Sequence, residues 1–302
     1  MPIVRKVTAW FRITPNREAV IENIKTCTER GAFNEKVEVG DPPLNEEEKK
    51  EVARQWYAER KSRKYRVNNR ISRGLWTWFA GKVNEDTQIE GLENAKAISG
   101  GAVVTSNHFN PLDNTAVLYM LRKAGKKHLY AVSQETNFAM DGFLGYFMKY
   151  ADTIPITSDR KVMEKEFYVC LEELIAQGEN VLIYPEQEMW FNYRKPRPPK
   201  RGAYYYAARL KAPILSCFVE IRDCPEIESG NFHRVRYVVH VLPPIFPDPE
   251  KTVRENSYNM MNRDYAQKKA AYEKAYGKPL VYDFSNEDIA GWIPENQEST
   301  QQ

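Results

Sequence analysis

The sequence lacks any long apolar run. No stretch approaches the ~20 consecutive apolar residues that a membrane-spanning helix requires, and the N-terminal segment MPIVRKVTAWFRITPNRE has no apolar centre of signal-peptide length. These absences predict a cytoplasmic chain that meets a membrane only peripherally, on the inner face of that membrane.

Cysteine and histidine are also scarce. Four cysteines are present, and no two of them form a CxxC pair, which argues against a zinc site and against a redox motif. The four histidines include no two at the helical spacing of metal ligands. We therefore expect no metal and no redox cofactor, and the pattern of cysteines fits a reduced, cytosolic setting.

Neither sign of charge dominates. The 44 basic and 41 acidic residues leave a formal net charge of +3, so the overall charge predicts no nucleic-acid partner. The 302 residues are 42% apolar, which is enough for the core of one large domain, or of one domain with a smaller attachment.

The most charged part of the chain is its N-terminal portion. Residues 1–90 contain few strand-like segments, and we interpret them as a helical portion that can touch a membrane surface. Asn45 is a good helix N-cap, and the three glutamates at 46–48 lie where the positive end of a helix dipole favours acids.

From residue 91 the pattern changes. Short apolar runs such as GAVVTS, HLYAVS and NVLIYP alternate with segments of helical periodicity. Strands separated by helices predict an α/β domain over residues 91–295, with a mostly parallel central sheet flanked by helices. The polar residues 296–302 are expected to form a disordered tail.

The stretch SNHFNPLDN (106–114) follows the first of these apolar runs. Ligands bind beyond the carboxyl ends of parallel strands, so His108 is well placed for chemistry. Asn110 is a good N-cap and Pro111 suits the first helical position, which puts Asp113 in the first turn. There Asp113 can simply stabilise the helix, by about 0.3–1 kcal/mol. Alternatively it folds back onto His108, fixes its tautomer and leaves the other ring nitrogen as a base.

Four segments, in this order, resemble a known family. NHFNPLD (107–113) is similar to the NHxxxxD block of the lysophospholipid acyltransferases, the PlsC-like glycerophosphate acyltransferase family. GYFMKYADTIPITSDR (145–160), VLIYPEQEMW (181–190) and KRGAYYYAARLKAPILSCFVE (200–220) resemble the blocks that follow. The resemblance spans about residues 91–245 and implies the α/β fold of that family.

The resemblance implies an O-acyltransferase that moves a fatty acyl group from acyl-CoA or acyl carrier protein to a hydroxyl of a glycerolipid-type acceptor, as 1-acylglycerol-3-phosphate acyltransferases do. His108 would be the general base and Asp113 would orient its ring. The resemblance also implies two substrate-binding residues. Asn107 could donate to an oxyanion, and the guanidinium of Arg160 suits a phosphate or carboxylate. The partners implied are the acyl donor, a lipid-like acceptor and a membrane surface.

The third block departs from the usual strand-FPEGTRS pattern. Pro185 and Glu186 match, whereas Gln187, Glu188 and Met189 replace Gly-Thr-Arg. The missing glycine fills space near the acceptor and the missing arginine removes a phosphate partner, so a glycolipid or another acceptor is plausible. We expect Glu186 to organise the loop by accepting backbone N–H groups, and Gln187 to contact substrate.

A basic loop, YRKPRPPKRG (193–202), follows this block, and its three prolines exclude regular structure. Its basic side chains either remain solvated or reach a phosphate of the acceptor or of coenzyme A, a role for which we select Lys200 and Arg201. The five candidates are Arg194, Lys195, Arg197, Lys200 and Arg201.

A basic and aromatic stretch ends the N-terminal portion. Leu75, Trp76, Trp78 and Phe79 follow seven basic residues at positions 60–73. This composition is typical of a segment that binds anionic lipid. Alternatively, the aromatic side chains dock the N-terminal helices onto the α/β domain while the basic residues are solvated.

Two other functions remain open. The altered third block suggests a catalytically silent relative that binds an acyl chain or carrier protein, although His108 and Asp113 are intact. A hydrolase would need Cys217 or Ser106 as its nucleophile, and neither lies in a G-x-S-x-G pattern.

Overall fold

The computed structural model describes residues 16–40, 44–140 and 142–294, so the predicted tail at 296–302 lies outside the described residues. Within these ranges no helix is both long enough and apolar enough to cross a bilayer.

Helices occupy the N-terminal portion and cover both faces of a sheet. Their bounds are α1 (Arg17–Glu29), α2 (Glu46–Glu59), α3 (Arg63–Val83), α4 (Leu92–Lys96), α5 (Asp113–Lys123), α6 (Gly142–Tyr150), α7 (Arg160–Val162), α8 (Tyr168–Ala176), α9 (Gly202–Arg209) and α10 (Val253–Tyr276). A π-helical stretch (Met163–Phe167) joins α7 to α8, and short 3₁₀ helices span Glu135–Ala139 and Asn286–Asp288.

Seven strands form one sheet. Their bounds are β1 (Gln88–Glu90), β2 (Ala102–Thr105), β3 (Leu129–Gln134), β4 (Thr153–Ile156), β5 (Asn180–Leu182), β6 (Ile214–Ser229) and β7 (Phe232–Val241). The spatial order is β1-β7-β6-β2-β5-β3-β4, and every neighbouring pair is parallel except the β6–β7 hairpin. The predicted fold, a mostly parallel sheet flanked by helices with a helical N-terminal portion, is confirmed.

The central strand β2 shows why the apolar runs form buried strands. All four of its residues are buried, because helices cover both faces of the sheet. Ala102 and Val104 face the core that contains α5, whereas Val103 packs with Tyr204 and Ala207 of α9. A continuous apolar run is therefore required here, rather than an alternating one.

Local capping fixes where several helices begin and end. Asn45 caps α2 as predicted: its side chain accepts the N–H groups of Glu47 and Glu48. The Glu48 carboxylate in turn accepts the Asn45 N–H, which completes a capping box. Thr252 and Glu255 form a second capping box at α10. That helix ends at Gly277, whose φ of 65° is the left-handed conformation that glycine adopts without steric cost.

The helix after His108 begins later than predicted. Asn110 is not its cap and Pro111 is not its first residue, because α5 starts at Asp113. The Asp113 carboxylate accepts the N–H groups of Phe109 and Asn110, while Asn110 Oδ1 accepts the Leu112 N–H. These bonds hold residues 109–112 in turns, so the helical ladder cannot start before Asp113.

Helix α3 docks on the sheet through an ion pair. The guanidinium of Arg73 donates through Nε and Nη2 to the two carboxylate oxygens of Asp152, at 2.6 and 2.7 Å. The Asn69 side chain donates to the same carboxylate at 2.7 Å. Trp76, one helical turn beyond, packs against the main core and lies 5.7 Å from the ring of Phe147. The inward face of α3 is therefore fixed by both charge and packing.

Replacing Asp152 with asparagine tests this docking, because it removes the charge that compensates Arg73 while tolerating the left-handed backbone at this position, where φ is 57°. We expect the free energy of unfolding to fall by about 2–3 kcal/mol, measured by chemical denaturation. The exposed pair between Arg54 and Asp159, at 2.7 Å, is the control, and Arg54→Met should cost less than about 1 kcal/mol. Equal losses for the two variants would contradict the docking role.

Candidate active site

The site lies where two neighbouring parallel strands end. Strands β2 and β5 pair in register at Val104 and Leu182. The chain continues from β2 through Ser106 and Asn107 to His108, and from β5 to Tyr184. Because these segments leave the sheet side by side, the first and third blocks of the motif meet at the carboxyl edge, where α/β proteins place ligands.

His108 and Asp113 form a hydrogen-bonded pair. The distance from His108 Nδ1 to Asp113 Oδ2 is 2.8 Å. Asp113 is buried, and the same oxygen accepts the Phe109 N–H at 2.9 Å. An ionised carboxylate only accepts, so Nδ1 carries a proton, and in the neutral imidazole Nε2 then keeps its lone pair. The His108 side chain is 20% exposed, and no described residue hydrogen-bonds to Nε2. Nε2 can therefore act as a base.

Tyr184 completes this pair, although the sequence analysis did not select it. Its hydroxyl donates to Asp113 Oδ1 at 2.5 Å, and its ring stacks on the His108 imidazole with centroids 3.8 Å apart and planes 13° from parallel. Burial, together with the Asp113 carboxylate, raises the pKa of the Tyr184 hydroxyl well above its ordinary value, so it remains a donor. The only signal in the sequence was a tyrosine where the third block usually has phenylalanine.

Glu186 organises the backbone beneath the site. Its buried carboxylate accepts the His108 N–H at 3.2 Å and the Arg197 N–H at 2.9 Å. The Arg197 guanidinium pairs with the same carboxylate, through Nη2 at 2.9 Å. These contacts are those of a residue that shapes the loop, as we expected for Glu186.

Arg197 lies in the interior rather than in solvent. Its guanidinium donates to the carbonyls of Phe33, His108 and Glu188, and it lies over the Trp190 ring at 4.6 Å. Burial lowers the pKa of this guanidinium, while the Glu186 carboxylate opposes the shift. Arg197 therefore supports the backbone of His108 from the interior.

The prediction of a solvated basic loop is wrong for three of its five cations. Besides Arg197, Lys195 is buried and donates to Asp288 at 2.8 Å, and Arg194 pairs with Asp223 at 2.6 Å. The C-terminal segment packs against the loop: it contains Asp288, and its Gly291 N–H donates to Asp223 of β6. Composition alone could not reveal these contacts. Lys200 and Arg201 remain exposed, next to the site, because the Lys200 N–H donates to the Pro185 carbonyl at 2.7 Å.

Asn107 joins two strands. Its side chain donates to the Val219 carbonyl at 3.0 Å and accepts the Val219 N–H at 2.8 Å, as a backbone amide would. Asn107 is buried, so this paired bond explains its position. The N–H groups of Phe109 and Asn110 are likewise used by Asp113. The structure thus gives Asn107, the predicted oxyanion donor, and these two backbone N–H groups internal partners.

The remaining predicted residues are at the surface. Arg160 opens α7 with its side chain 91% exposed, 3.9 Å from Glu164, and it makes no contact with His108 or Asp113 among the described residues. Gln187 is also exposed, and its φ of 68° places it in the left-handed region where the usual pattern has glycine. Glu188, the next residue, accepts a bond from the Gln134 side chain at 2.7 Å.

Neither nucleophile of the hydrolase alternative contacts His108. Ser106 is buried and its hydroxyl lies 3.4 Å from Asn107 Oδ1. Cys217 is fully buried, and burial raises the pKa of its thiol to about 12, so the thiol is protonated at neutral pH. No described group of three His, Cys, Asp or Glu side chains has the arrangement of a metal site.

Comparison with known proteins finds a family model that matches the segment carrying this site. Residues 86–220 match the sequence model of the family described as Acyltransferase. The comparison with curated proteins gives no match. Among solved structures, the 1-acyl-sn-glycerophosphate acyltransferase PlsC from Thermotoga maritima is similar at 14% identity and a TM-score of 0.47, over 92% of this chain and 100% of that one. The segment that contains His108, Asp113, Tyr184 and Glu186 thus matches the acyltransferase family model, in agreement with the resemblance of the sequence motifs.

Proposed function

We propose that the chain transfers a fatty acyl group from a thioester, acyl-CoA or acyl carrier protein, to a hydroxyl of a glycerolipid-type acceptor. The observation that carries this proposal is the hydrogen bond from His108 Nδ1 to the buried Asp113 carboxylate, with the ring partly exposed and Nε2 the nitrogen left for a substrate. The family match supports acyl transfer as the reaction.

In this mechanism His108 Nε2 takes the proton of the acceptor hydroxyl as its oxygen attacks the thioester carbonyl. The imidazolium is stabilised by Asp113, which is already aligned with Nδ1. When the C–S bond breaks, the departing thiolate takes the proton from Nε2, and the free base is restored. A thioester is already activated, so no acyl-enzyme is required and no protein nucleophile is assigned.

The acceptor is bound, in this proposal, by the exposed groups around the third block. Lys200 and Arg201 lie next to Pro185 and supply positive charge for a phosphate of the acceptor or of coenzyme A. Arg160, at the carboxyl end of β4, is a further exposed cation for the same purpose. Gln187 projects beside this region in place of a glycine, which favours an acceptor other than lysophosphatidate, such as a glycolipid.

We further propose that α3 holds the enzyme on a membrane surface. Four apolar residues, Val67, Ile71, Leu75 and Trp78, are exposed along one side of this helix. Residues spaced by three or four positions share a helix face, so these form a continuous stripe. We call it the α3 stripe. Trp76 and Phe79 face the protein instead. Some aromatic residues of this segment therefore dock α3 on the protein, while Trp78 is exposed to solvent.

The flanks of the α3 stripe are basic. Arg63, Lys64, Arg66 and Arg70 are exposed, and α3 contains no acidic residue. Arg60 and Arg73, in contrast, pair with Glu173 and Asp152 on the protein. Exposed basic residues attract anionic lipid by about 1 kcal/mol each, while tryptophan favours the headgroup zone. In this proposal the α3 stripe and its basic flanks bind the enzyme to an anionic membrane surface, where a lipid acceptor is found.

Replacing His108 with alanine should lower kcat by about 10³-fold, because general-base catalysis contributes roughly 10²–10⁴. The measurement is thiol release and acylated product from long-chain acyl-CoA with a panel of lysolipids and glycolipids. His128→Ala is the matched control, since His128 makes a similar bond to Glu179, 2.7 Å long, and is 24% exposed. It should retain activity. Equal turnover in the wild type and His108→Ala would instead support a catalytically silent acyl-binding relative.

Replacing Ile71 with glutamate should weaken binding to vesicles of mixed anionic and zwitterionic phospholipid by at least about tenfold, because a charge then enters the apolar stripe. Co-sedimentation at low and high salt measures this. Ile227→Glu is the control, because Ile227 is 58% exposed and Ile71 is 52% exposed, but Ile227 lies in the β6–β7 hairpin. An identical loss for both isoleucines would argue against a specific α3 surface.

Replacing Gln187 with glycine should raise the free energy of unfolding by roughly 0.5–1 kcal/mol, because a left-handed residue with a side chain is strained. Lys211→Gly, at an exposed residue with φ of 53°, should give a similar gain. Only Gln187→Gly should also change the ratio of rates on lysophosphatidate and glycolipid acceptors, by roughly tenfold. An unchanged ratio would show that Gln187 does not face the acceptor.

A further inference from the structure

We infer that Tyr184 is a positioning residue for the His108–Asp113 pair: its hydroxyl holds the carboxylate and its ring holds the imidazole. This inference rests on the proposed function, because positioning matters only if His108 is the base. Tyr184 follows β5, whereas His108 follows β2, so the contact depends on the pairing of these two strands.

The hydroxyl fills the remaining side of the Asp113 carboxylate. Oδ2 accepts from His108 Nδ1 and from the N–H groups of Phe109 and Asn110, at 2.8, 2.9 and 3.3 Å. Oδ1 accepts from the Tyr184 hydroxyl, which is its only donor among the described residues. Without that hydroxyl, one buried carboxylate oxygen has no partner, and the carboxylate can rotate away from Nδ1.

The ring of Tyr184 restricts the imidazole directly. The two rings are nearly parallel at 3.8 Å between centroids, which leaves no room for the imidazole to rotate out of its plane on that side. The backbone of His108 is fixed separately, by the bond from its N–H to Glu186 and the bond from Arg197 to its carbonyl. Tyr184 therefore fixes the side chain while Glu186 and Arg197 fix the backbone.

The hydroxyl also adjusts the charge that His108 faces. The charged and titratable groups around the imidazole are Asp113, Tyr184, Glu186 and Arg197, and only Asp113 bonds to the ring. A hydrogen bond from Tyr184 draws negative charge away from the contact with Nδ1, which weakens the stabilisation of an imidazolium.

The test compares Tyr184→Phe, which removes the hydroxyl and keeps the ring, with Tyr204→Phe. Tyr204 is the matched control because it is also buried and its hydroxyl also donates to a buried carboxylate, that of Asp264, between α9 and α10. We expect Tyr184→Phe to lower kcat about tenfold. It should also move the acid limb of the kcat/KM profile to higher pH by about 0.5–1 unit. Tyr204→Phe should leave the limb in place.

A second measurement does not depend on activity. Nitrogen chemical shifts of ¹⁵N-labelled histidine report the ring tautomer, and the wild type should show the proton of His108 on Nδ1. Tyr184→Leu, which removes both hydroxyl and ring, should increase the fraction with the proton on Nε2. Tyr184→Phe serves alone if the leucine variant does not fold.

The outcomes separate the two proposals. If the tautomer and the acid limb of Tyr184→Phe match those of Tyr204→Phe while His108→Ala is inactive, the role of Tyr184 is overturned and the proposed function stands. If the wild type transfers no acyl group, the proposed function fails, and the tautomer alone decides whether Tyr184 positions His108.

Discussion

The buried ion pair between Glu186 and Arg197 is the interaction on which the site depends. Both side chains are almost wholly buried, and two charges in the interior are tolerated only when they are paired and hydrogen-bonded. Glu186 accepts the His108 N–H, and Arg197 donates to the His108 carbonyl. The backbone of the histidine is therefore held from both sides by a single pair of charges.

The same pair links parts of the chain that are distant in sequence. Arg197 also donates to the Phe33 carbonyl, and the Asn34 side chain donates to the carbonyls of Glu186 and Pro198. Trp190, under the Arg197 guanidinium, packs with α1 in a separate core cluster. Residues before α2 thus support the floor of the site. This explains why a segment outside the α/β pattern is packed against the third block.

Different groups of residues therefore hold different parts of the site. Charges buried beneath the site position the backbone, the Asp113 carboxylate aligns the imidazole, and Lys200 and Arg201 remain exposed beside the site. On the N-terminal side, α3 uses one face for docking through Arg73 and Trp76 and leaves its apolar stripe exposed. In the basic loop and in α3 alike, some basic and aromatic residues pack against the protein while others are exposed to solvent.

The sequence by itself determined the apolar strands and intervening helices of the α/β part and the mostly parallel sheet, and it offered a bond to His108 as one of two roles for Asp113. Each follows from local patterns: apolar runs, caps, and a carboxylate that lies five residues beyond the imidazole. Only the tertiary structure decided what the third block and its loop do. Tyr184 reaches Asp113 across 71 residues, Arg197 turns inward to Glu186, and Asn107 pairs with Val219 across 112 residues. These contacts depend on which strands lie side by side and on where a charge is buried. The spacing of residues along the sequence predicts neither.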